Sequence, residues 1–417
     1  MFKNSKSATD IFVKLLNPIT DHIVDQSNLY ATQNNKTLKL SANELMGFIG
    51  INFCMGYHKL SSYRHYWSTA KDLHLQVISE VMNRDRFSEI LSNIHVNDNT
   101  AIPVNNKDKL YKLRPMIDSL NKTFSEAYNG TRELSVDESM IKFKGRSSLK
   151  QYNPMKPIKR GYKLWCIADQ KGYILNFSIY QGKNEALERE FEDFNLGERI
   201  VLKLTKPYWK QSRVIFFDNY FTSIILLERL KTEQKLACGT IRSNRKEMPL
   251  NLMKESAIAR GDYDYRFSTF GIGVFKWRDN KTVHFASNYH GNEITSVLRT
   301  MKDGSKLTIK CPSVVKDYNN FMGGVDLADR YRLLYNVDRK SNKLWLRIFW
   351  GLLDITFVNA YVIYCEMFGD TNVLDVRRSI AHGLMASRVV YGANRWRCEL
   401  CSTRGIESRP KSKCSHC

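Results

Sequence analysis

The stretch RVIFFDNYFTS, residues 213–223, contains a short unbroken apolar run at positions 214–217. Such a run predicts a buried β-strand. The run ends on Asp218, although an unpaired carboxylate is one of the costliest groups to bury. A helix pattern (TSIILLERLKTEQ) and a further strand pattern (KLACGTI) follow. This alternation predicts an α/β fold, with Asp218 at the end of one of its strands.

The segments on either side extend this pattern. Before residue 132 the chain is mostly helical in character, and Ser41 with Glu44 three residues later marks the start of one helix. The stretches GYKLWCIADQ and GYILNFSIYQG predict a β-hairpin. Residues 243–310 are basic, turn-rich and short-stranded, which predicts a β-rich insertion. Helix patterns return after residue 320.

The longest apolar stretch is LWLRIFWGLLDITFVNAYVIYCEMF, residues 344–368. Arg347, Asp354 and Asn359 interrupt it, and its large residues recur at helical spacing. Both features favour a buried helix over a membrane span. The first residues of the chain also lack an apolar core of secretory length, so we expect no membrane partner.

The charge of the chain points to an acidic partner. It carries 64 Lys and Arg against 42 Asp and Glu, a formal net charge of +22. Such an excess favours a polyanion, with nucleic acid first and an anionic membrane second. A generally basic protein without a polyanionic partner is the alternative.

Several aspartates lie at the edges of predicted elements. Asp137 lies in the strand pattern LSVDESM, Asp218 ends a strand, and Asp326 and Asp329 share one face of a predicted helix. Converging carboxylates need a cation, and Mg²⁺ or Mn²⁺ takes such oxygen ligands. Two such ions can promote cleavage of a phosphodiester. Alternatively, Asp326 and Asp329 interact with a helix dipole, and Asp137 pairs with a nearby Lys or Arg.

A basic segment directly follows Asp137. Its cations are interleaved with Tyr152, Tyr162 and Trp165, a composition that suits a nucleic-acid channel. A solvated basic loop is the alternative. A second basic group precedes the long apolar helix and could position a phosphate. Lys142 is the first cation of the basic segment. The predicted DNA-binding residues that follow it are Lys144, Arg146, Lys150, Lys156, Lys159, Arg160 and Lys163, with Arg339, Lys340 and Lys343 in the second group.

Four of the nine cysteines lie in the stretch RCELCSTRGIESRPKSKCSHC near the end of the sequence. They form two C-x-x-C pairs, a spacing that predicts one tetrahedral Zn²⁺ site. The remaining cysteines are scattered singly, which favours a reducing compartment over a disulfide framework. The predicted zinc ligands are Cys398, Cys401, Cys414 and Cys417, with His416 as a bystander.

Taken together, these motifs resemble the piggyBac family of DNA transposases over nearly the whole chain. The motifs have the family's order and similar spacing: SVDESMIKFKGRSSLKQYNPMKPIKRGYKLW, FFDNYFTS, GTIRSNRKEMP, and NNFMGGVDLADRYRLLY followed by DRKSNKLW. The resemblance implies a ribonuclease-H-like core in which Asp137, Asp218 and Asp326 bind two Mg²⁺ ions, with Asp329 as a further acidic residue. It also implies a dimer that cuts at transposon ends, passes through a DNA hairpin and joins TTAA targets.

The expected fold is α/β: a ribonuclease-H-like catalytic core with a β-rich insertion, a flanking helical domain and a small zinc-binding segment. The predicted divisions are a helical dimerisation and DNA-binding domain (1–132 and 336–394), the catalytic core (133–242 and 311–335), the insertion (243–310) and the Cys-rich segment (395–417). The family's Cys-rich domain resembles a finger with two zincs, whereas the sequence ends at Cys417 with one set of ligands.

The expected function is that of a nuclear cut-and-paste DNA transposase. Two other interpretations remain open at this stage. One is a domesticated, sequence-specific DNA-binding protein that does not transpose. The other is a zinc-finger interaction module on an inert scaffold, which accounts for the cysteines but leaves the acidic motifs without a role.

Overall fold

The computed structural model describes residues 1–154, 156–339 and 343–386. In these residues, helices from both ends of the chain surround a mixed β-sheet. The helices are α1 (Ala8–Gln33), α2 (Ala42–Tyr57), α3 (Gln76–Ser79), α4 (Arg84–Asn93), α5 (Arg114–Ala127), α6 (Glu185–Glu190), α7 (Leu196–Thr205), α8 (Ile224–Thr232), α9 (Ser313–Phe321), α10 (Gly324–Leu334), α11 (Trp345–Phe368) and α12 (Val373–Ala386).

The strands divide into a nine-stranded sheet and a separate two-stranded hairpin within the described ranges. They are β1 (Glu133–Lys142), β2 (Lys150–Tyr152), β3 (Arg160–Asp169), β4 (Ile174–Ile179), β5 (Val214–Phe217), β6 (Leu236–Thr240), β7 (Tyr263–Phe267), β8 (Gly273–Arg278), β9 (Thr282–Ser287), β10 (Ile294–Thr300) and β11 (Lys306–Pro312). The large sheet has the order β2-β3-β1-β5-β6-β9-β8-β7, with β4 paired to β3.

The centre of the sheet confirms the predictions made from the apolar patterns. All four residues of β5 are buried, and β5 lies between β1 and β6, parallel to both. The predicted hairpin is the antiparallel pair β3–β4. A strand buried on both faces needs apolar residues at every position, which is why VIFF does not alternate.

The segment 243–310 is rich in strands, and three of them belong to the central sheet. Strand β9 pairs antiparallel with β6 in the register Cys238↔Ser287, and β8 and β7 follow. Strands β10 and β11 form the separate hairpin. Strands of this segment therefore extend the central sheet, and its bounds as an insertion stay a prediction.

The predicted start of α2 is present. The Ser41 hydroxyl accepts the Glu44 N–H at 3.2 Å, as an N-cap does. The Glu44 carboxylate also accepts two bonds from Arg86 at 2.6 and 2.8 Å, which ties α2 to α4. Residues near this helix start therefore hold the N-terminal helices together.

Helix α11 is the central helix of the fold. It is long and apolar enough to cross a membrane, but its residues from Leu346 to Ile363 are buried against α1, α5, α10 and β1. The buried Asn359 side chain exchanges two hydrogen bonds of 2.8 and 2.9 Å with the Ile174 backbone. The predicted buried helix is confirmed, and it packs against both α1 and α12.

Candidate active site

Two of the predicted aspartates lie on neighbouring strands. The parallel register of β1 and β5 pairs Val136 with Phe217. Asp137 follows Val136 directly, and Asp218 follows Phe217 directly. Side chains at equivalent positions of adjacent parallel strands lie on the same side of the sheet. The strand β5 ends at Phe217, and the side chain of Asp218, the next residue, is only partly buried where the chain leaves the apolar layer.

Asp326 approaches Asp137 from α10, a helix that packs on β1 and β3. Gly324 makes this close packing possible. A Cβ atom at Gly324 would lie 2.2 Å from the backbone oxygen of Asp169 and 2.7 Å from the hydroxyl of Ser135. The first turn of α10 can therefore lie directly on the sheet, two residues before Asp326.

Lys156 connects two of these aspartates. Its Nζ lies 2.8 Å from Oδ2 of Asp137 and 3.1 Å from Oδ1 of Asp326. The Asp326 side chain is 68% exposed, whereas those of Asp137 and Lys156 are 11% and 18% exposed. Asp137 thus pairs with a nearby cation, one of the alternatives that the sequence left open, and the same cation also binds Asp326.

The environment of the carboxylates makes negative charge costly. Burial raises the pKa of Asp137 to about 6, although Lys156 and the Glu138 N–H, which donates to Asp137 at 2.7 Å, both act to lower it. Burial also raises the pKa of Asp218, whose Oδ1 accepts the Tyr220 N–H at 2.9 Å. A neighbouring cation offsets this cost.

Asp329 occupies a different position from the other three aspartates. Its Oδ1 accepts the Ser139 hydroxyl at 2.6 Å and a guanidinium bond from Arg332 at 2.9 Å. The Arg332 side chain is buried and also donates to the Met140 carbonyl at 2.9 Å. In the structure Asp329 therefore fastens α10 to β1, and its role as a metal ligand stays a prediction.

Sequence reasoning did not identify Ser139 and Arg332 as part of this region. Two patterns could have indicated them. Ser139 follows Asp137 by two residues in a strand, so both side chains lie on one face. Arg332 follows Asp329 by three residues in a helix, where opposite charges pair. Both are positioning residues, because they act on α10 and not on a substrate.

The donor atoms suit a hard divalent cation. Within the described ranges 1–154, 156–339 and 343–386, no group of three or more His, Cys, Asp or Glu residues is arranged to hold a metal ion. The carboxylate oxygens of Asp137 and Asp326 instead share the ammonium group of Lys156. Oxygen atoms that already bind one cation are chemically suited to Mg²⁺ or Mn²⁺.

Most of the predicted DNA-binding cations lie on the segment that carries Lys156. The Lys150 ammonium donates to the Gly145 carbonyl at 2.7 Å, and the Arg160 guanidinium lies 5.5 Å from the Tyr152 ring. The segment therefore presents positive charge beside the aspartates. The exposed members are Lys144, Arg146, Lys159 and Arg160.

Three other predicted cations make internal contacts. Lys163 lies 3.0 Å from Glu138, and Lys343 donates to the Ser92 carbonyl. The Arg339 guanidinium lies 4.9 Å from the rings of both Tyr63 and Phe87, and burial lowers its pKa to about 10. DNA contact by these residues stays a prediction. The predicted DNA-binding residue Lys340 and the zinc ligands Cys398, Cys401, Cys414 and Cys417 lie outside the described residues.

Comparison with known proteins identifies the family of this chain. The family model described as Transposase IS4 matches residues 7–361. PiggyBac transposable element-derived protein 3 of Homo sapiens is 35% identical over 377 residues, which cover 87% of this chain and 62% of that protein. The chain belongs to the piggyBac family of transposases.

Other piggyBac proteins extend the comparison. PiggyBac transposable element-derived protein 2 of Homo sapiens is 32% identical over 370 residues, which cover 86% of this chain and 62% of that protein. The chain thus spans less than two thirds of either relative. A cryo-EM structure of the piggyBac transposase synaptic complex with hairpin DNA has the same fold, with a TM-score of 0.81 at 22% identity. That match covers 100% of this chain and 88% of the other.

Proposed function

We propose that this chain is a cut-and-paste DNA transposase whose catalytic carboxylates are Asp137, Asp218 and Asp326. One observation carries the proposal: Asp137 and Asp326 both bind the ammonium group of Lys156, and they do so beside the end of β5, where Asp218 lies. A structural ion pair needs only one carboxylate. Aspartates from three elements at one sheet edge are better explained by a site that holds divalent cations.

The protein residues have distinct roles in the proposed reaction. Asp137, Asp218 and Asp326 would hold the metal, which when bound would supply activation of the attacking oxygen and stabilisation of the leaving oxygen. The N–H groups of Glu138 and Tyr220 orient two of the carboxylates. The exposed cations of the basic segment bind the DNA phosphates and set the position of the strand.

The finer features of the proposal come from the family. They are two Mg²⁺ ions (or Mn²⁺), with Asp329 as a further acidic residue, cleavage at transposon terminal repeats with TTAA targets, and action as a homodimer in the nucleus. A Zn²⁺ site at Cys398, Cys401, Cys414 and Cys417 completes it. The solved piggyBac structure was determined with hairpin DNA, which supports a hairpin intermediate as part of this proposal.

A second candidate is a domesticated DNA-binding protein without transposition activity. The observation in its favour is that the curated relatives are named transposable element-derived proteins. The basic segment could bind DNA in either case, because phosphate contacts do not require the aspartates. The two candidates therefore differ only in strand cleavage.

A cleavage assay separates the two. The purified protein is incubated with Mg²⁺ and the terminal repeats that flank its source gene, beside an Asp218→Asn variant and an Asp193→Asn control, which changes an exposed carboxylate. We expect Asp218→Asn to slow nicking by about a hundredfold or more, a loss of about 2.7 kcal/mol of transition-state stabilisation. DNA binding should persist.

Two outcomes would contradict the transposase proposal. One is binding without nicking by the unmodified protein across a full set of cognate ends, which would favour the domesticated protein. The other is nicking by Asp218→Asn at the rate of the Asp193→Asn control, which would remove Asp218 from the site.

A further inference from the structure

Lys156 is unusual among the cations of the basic segment. Lys144, Arg146, Lys159 and Arg160 are exposed, as expected for residues that await a phosphate. The Lys156 side chain is 18% exposed, and its ammonium contacts two of the three proposed catalytic carboxylates. Lys163 of the same segment is also partly buried, but it pairs with Glu138 and not with a proposed catalytic carboxylate. Lys156 therefore lies inside the acidic site.

The Lys156 ammonium takes up carboxylate oxygens that the proposed metal would need. Its Nζ lies 2.8 Å from Oδ2 of Asp137 and 3.1 Å from Oδ1 of Asp326. An ammonium group and a divalent metal ion carry like charges and repel each other at short range. The two cations therefore compete for the oxygens of Asp137 and Asp326.

We propose that Lys156 is an internal counter-cation that neutralises the acidic site before metal binds, and that metal binding displaces its ammonium. This proposal rests on the proposed function of the same carboxylates. The displaced ammonium becomes available to a DNA phosphate beside the site. Lys156 thereby links metal loading to the capture of DNA by the basic segment.

The structure allows the side chain to leave while its segment stays in place. The Asn153 amide donates to Oε1 of Glu138 at 2.6 Å, and the Asn153 N–H donates to the Lys159 carbonyl at 2.9 Å. The first bond anchors the segment to β1 independently of Lys156, and the second closes the loop between β2 and β3. Rotation of one long side chain is enough to exchange the ammonium for a metal ion.

Binding of Mn²⁺ in the absence of DNA tests the proposal. Calorimetry compares the unmodified chain with Lys156→Met, which keeps the aliphatic stem, and with Lys159→Met as a control on the same segment. We expect Lys156→Met to bind Mn²⁺ about tenfold more tightly, because no ammonium must be displaced; tenfold is about 1.4 kcal/mol. Lys159→Met should bind like the unmodified chain. Unchanged or weaker binding by a folded Lys156→Met variant would overturn the proposal.

A second measurement needs no variant. Brief acetylation of the unmodified protein, followed by mass spectrometry, reports how accessible each lysine is. We expect saturating Mn²⁺ to raise the labelling of Lys156 several-fold while that of Lys159 stays constant. Labelling of Lys156 that does not respond to Mn²⁺ would also overturn the proposal.

These results are separable from the proposed function. Tighter Mn²⁺ binding by Lys156→Met, together with an unmodified chain that never cuts DNA, would sustain the exchange and reject the transposase. DNA cleavage with no change in Mn²⁺ affinity would do the opposite.

Discussion

The Arg377→Met variant tests how α12 is held against α2 and α11. The Arg377 guanidinium lies 3.7 Å from the ring centroid of Phe53 and 4.6 Å from that of Phe357. Its Nη2 lies 2.8 Å from Oδ1 of Asp354, and the two side chains are 1% and 3% exposed. Methionine keeps the contact with the rings but leaves the buried Asp354 carboxylate with the Val337 N–H at 3.0 Å.

The size of the effect follows from the choice that the variant gives Asp354. Breaking a buried ion pair costs about 3–5 kcal/mol. The Asp354 carboxyl group can instead take up a proton. For a group with an ordinary pKa of 3.8, protonation costs about 4.4 kcal/mol at pH 7 and about 1.6 kcal/mol at pH 5. The loss of stability at pH 7 is therefore about 4 kcal/mol, and protonation sets its upper limit.

The sign of the pH dependence is specific to this explanation. In the variant, Asp354 has a higher pKa in the folded state than in the unfolded chain, so stability is lost as pH rises above 3.8. Burial raises the pKa of Asp354 in the unmodified fold as well, but Arg377 acts to lower it, so the folded-state pKa is higher in the variant. We expect the deficit of Arg377→Met to shrink between pH 7 and pH 5, by up to about 2.7 kcal/mol.

Urea unfolding at both pH values, followed by circular dichroism, measures this difference. Arg378→Met is the matched control, because it makes the same change at the next, exposed position. A loss at pH 7 within about 1 kcal/mol of the control would refute the reasoning, since the cost of breaking a buried pair is larger. A deficit that is equal at pH 5 and pH 7 would refute the protonation argument.

Two further predictions concern the site and the sheet. Gly324→Ala should lose about 1–3 kcal/mol of stability and most DNA cleavage, because its methyl group collides with the Asp169 carbonyl and shifts Asp326. Gly323→Ala, whose methyl meets no described atom within 4 Å, should cleave normally; equal activity of the two variants contradicts this. Burial lowers the pKa of His290 in the folded state, although Asp317 and Glu293 act to raise it. The fold therefore favours the neutral imidazole, and stability should fall as pH drops through about 6.5, the pKa of histidine in the unfolded chain. Melting temperatures at pH 7.5 and 5.5 should show a smaller drop for His290→Gln, and equal drops would exclude this cause.

Local patterns were sufficient to predict the central elements. The apolar run of β5, the β3–β4 hairpin and the start of α2 each depend on a few consecutive residues, and the structure confirms them. The pairing of β9 with β6 joins residues about fifty positions apart and has no local pattern. For that reason the sequence did not reveal how the segment 243–310 joins the sheet.

The same limit applies to the candidate site. Composition identified Asp137, Asp218 and Asp326 as unusual, and the family motifs grouped them. The contact of Lys156 with Asp326 spans 170 positions, so a basic segment rich in lysine did not reveal which lysine turns inward. The packing of Arg339 against the rings of Tyr63 and Phe87 likewise has no local pattern in the sequence. Such choices depend on the packing of distant elements.

The most direct test of the account is whether Asp137, Asp218 and Asp326 share one metal site. In this experiment Fe²⁺ is added to the purified protein in place of Mg²⁺. Ascorbate and peroxide are then added, which cleave the polypeptide backbone next to any bound iron. We predict fragments that end near these three residues and disappear with excess Mg²⁺. Cuts at other positions, or cuts that excess Mg²⁺ leaves unchanged, would contradict the central claim.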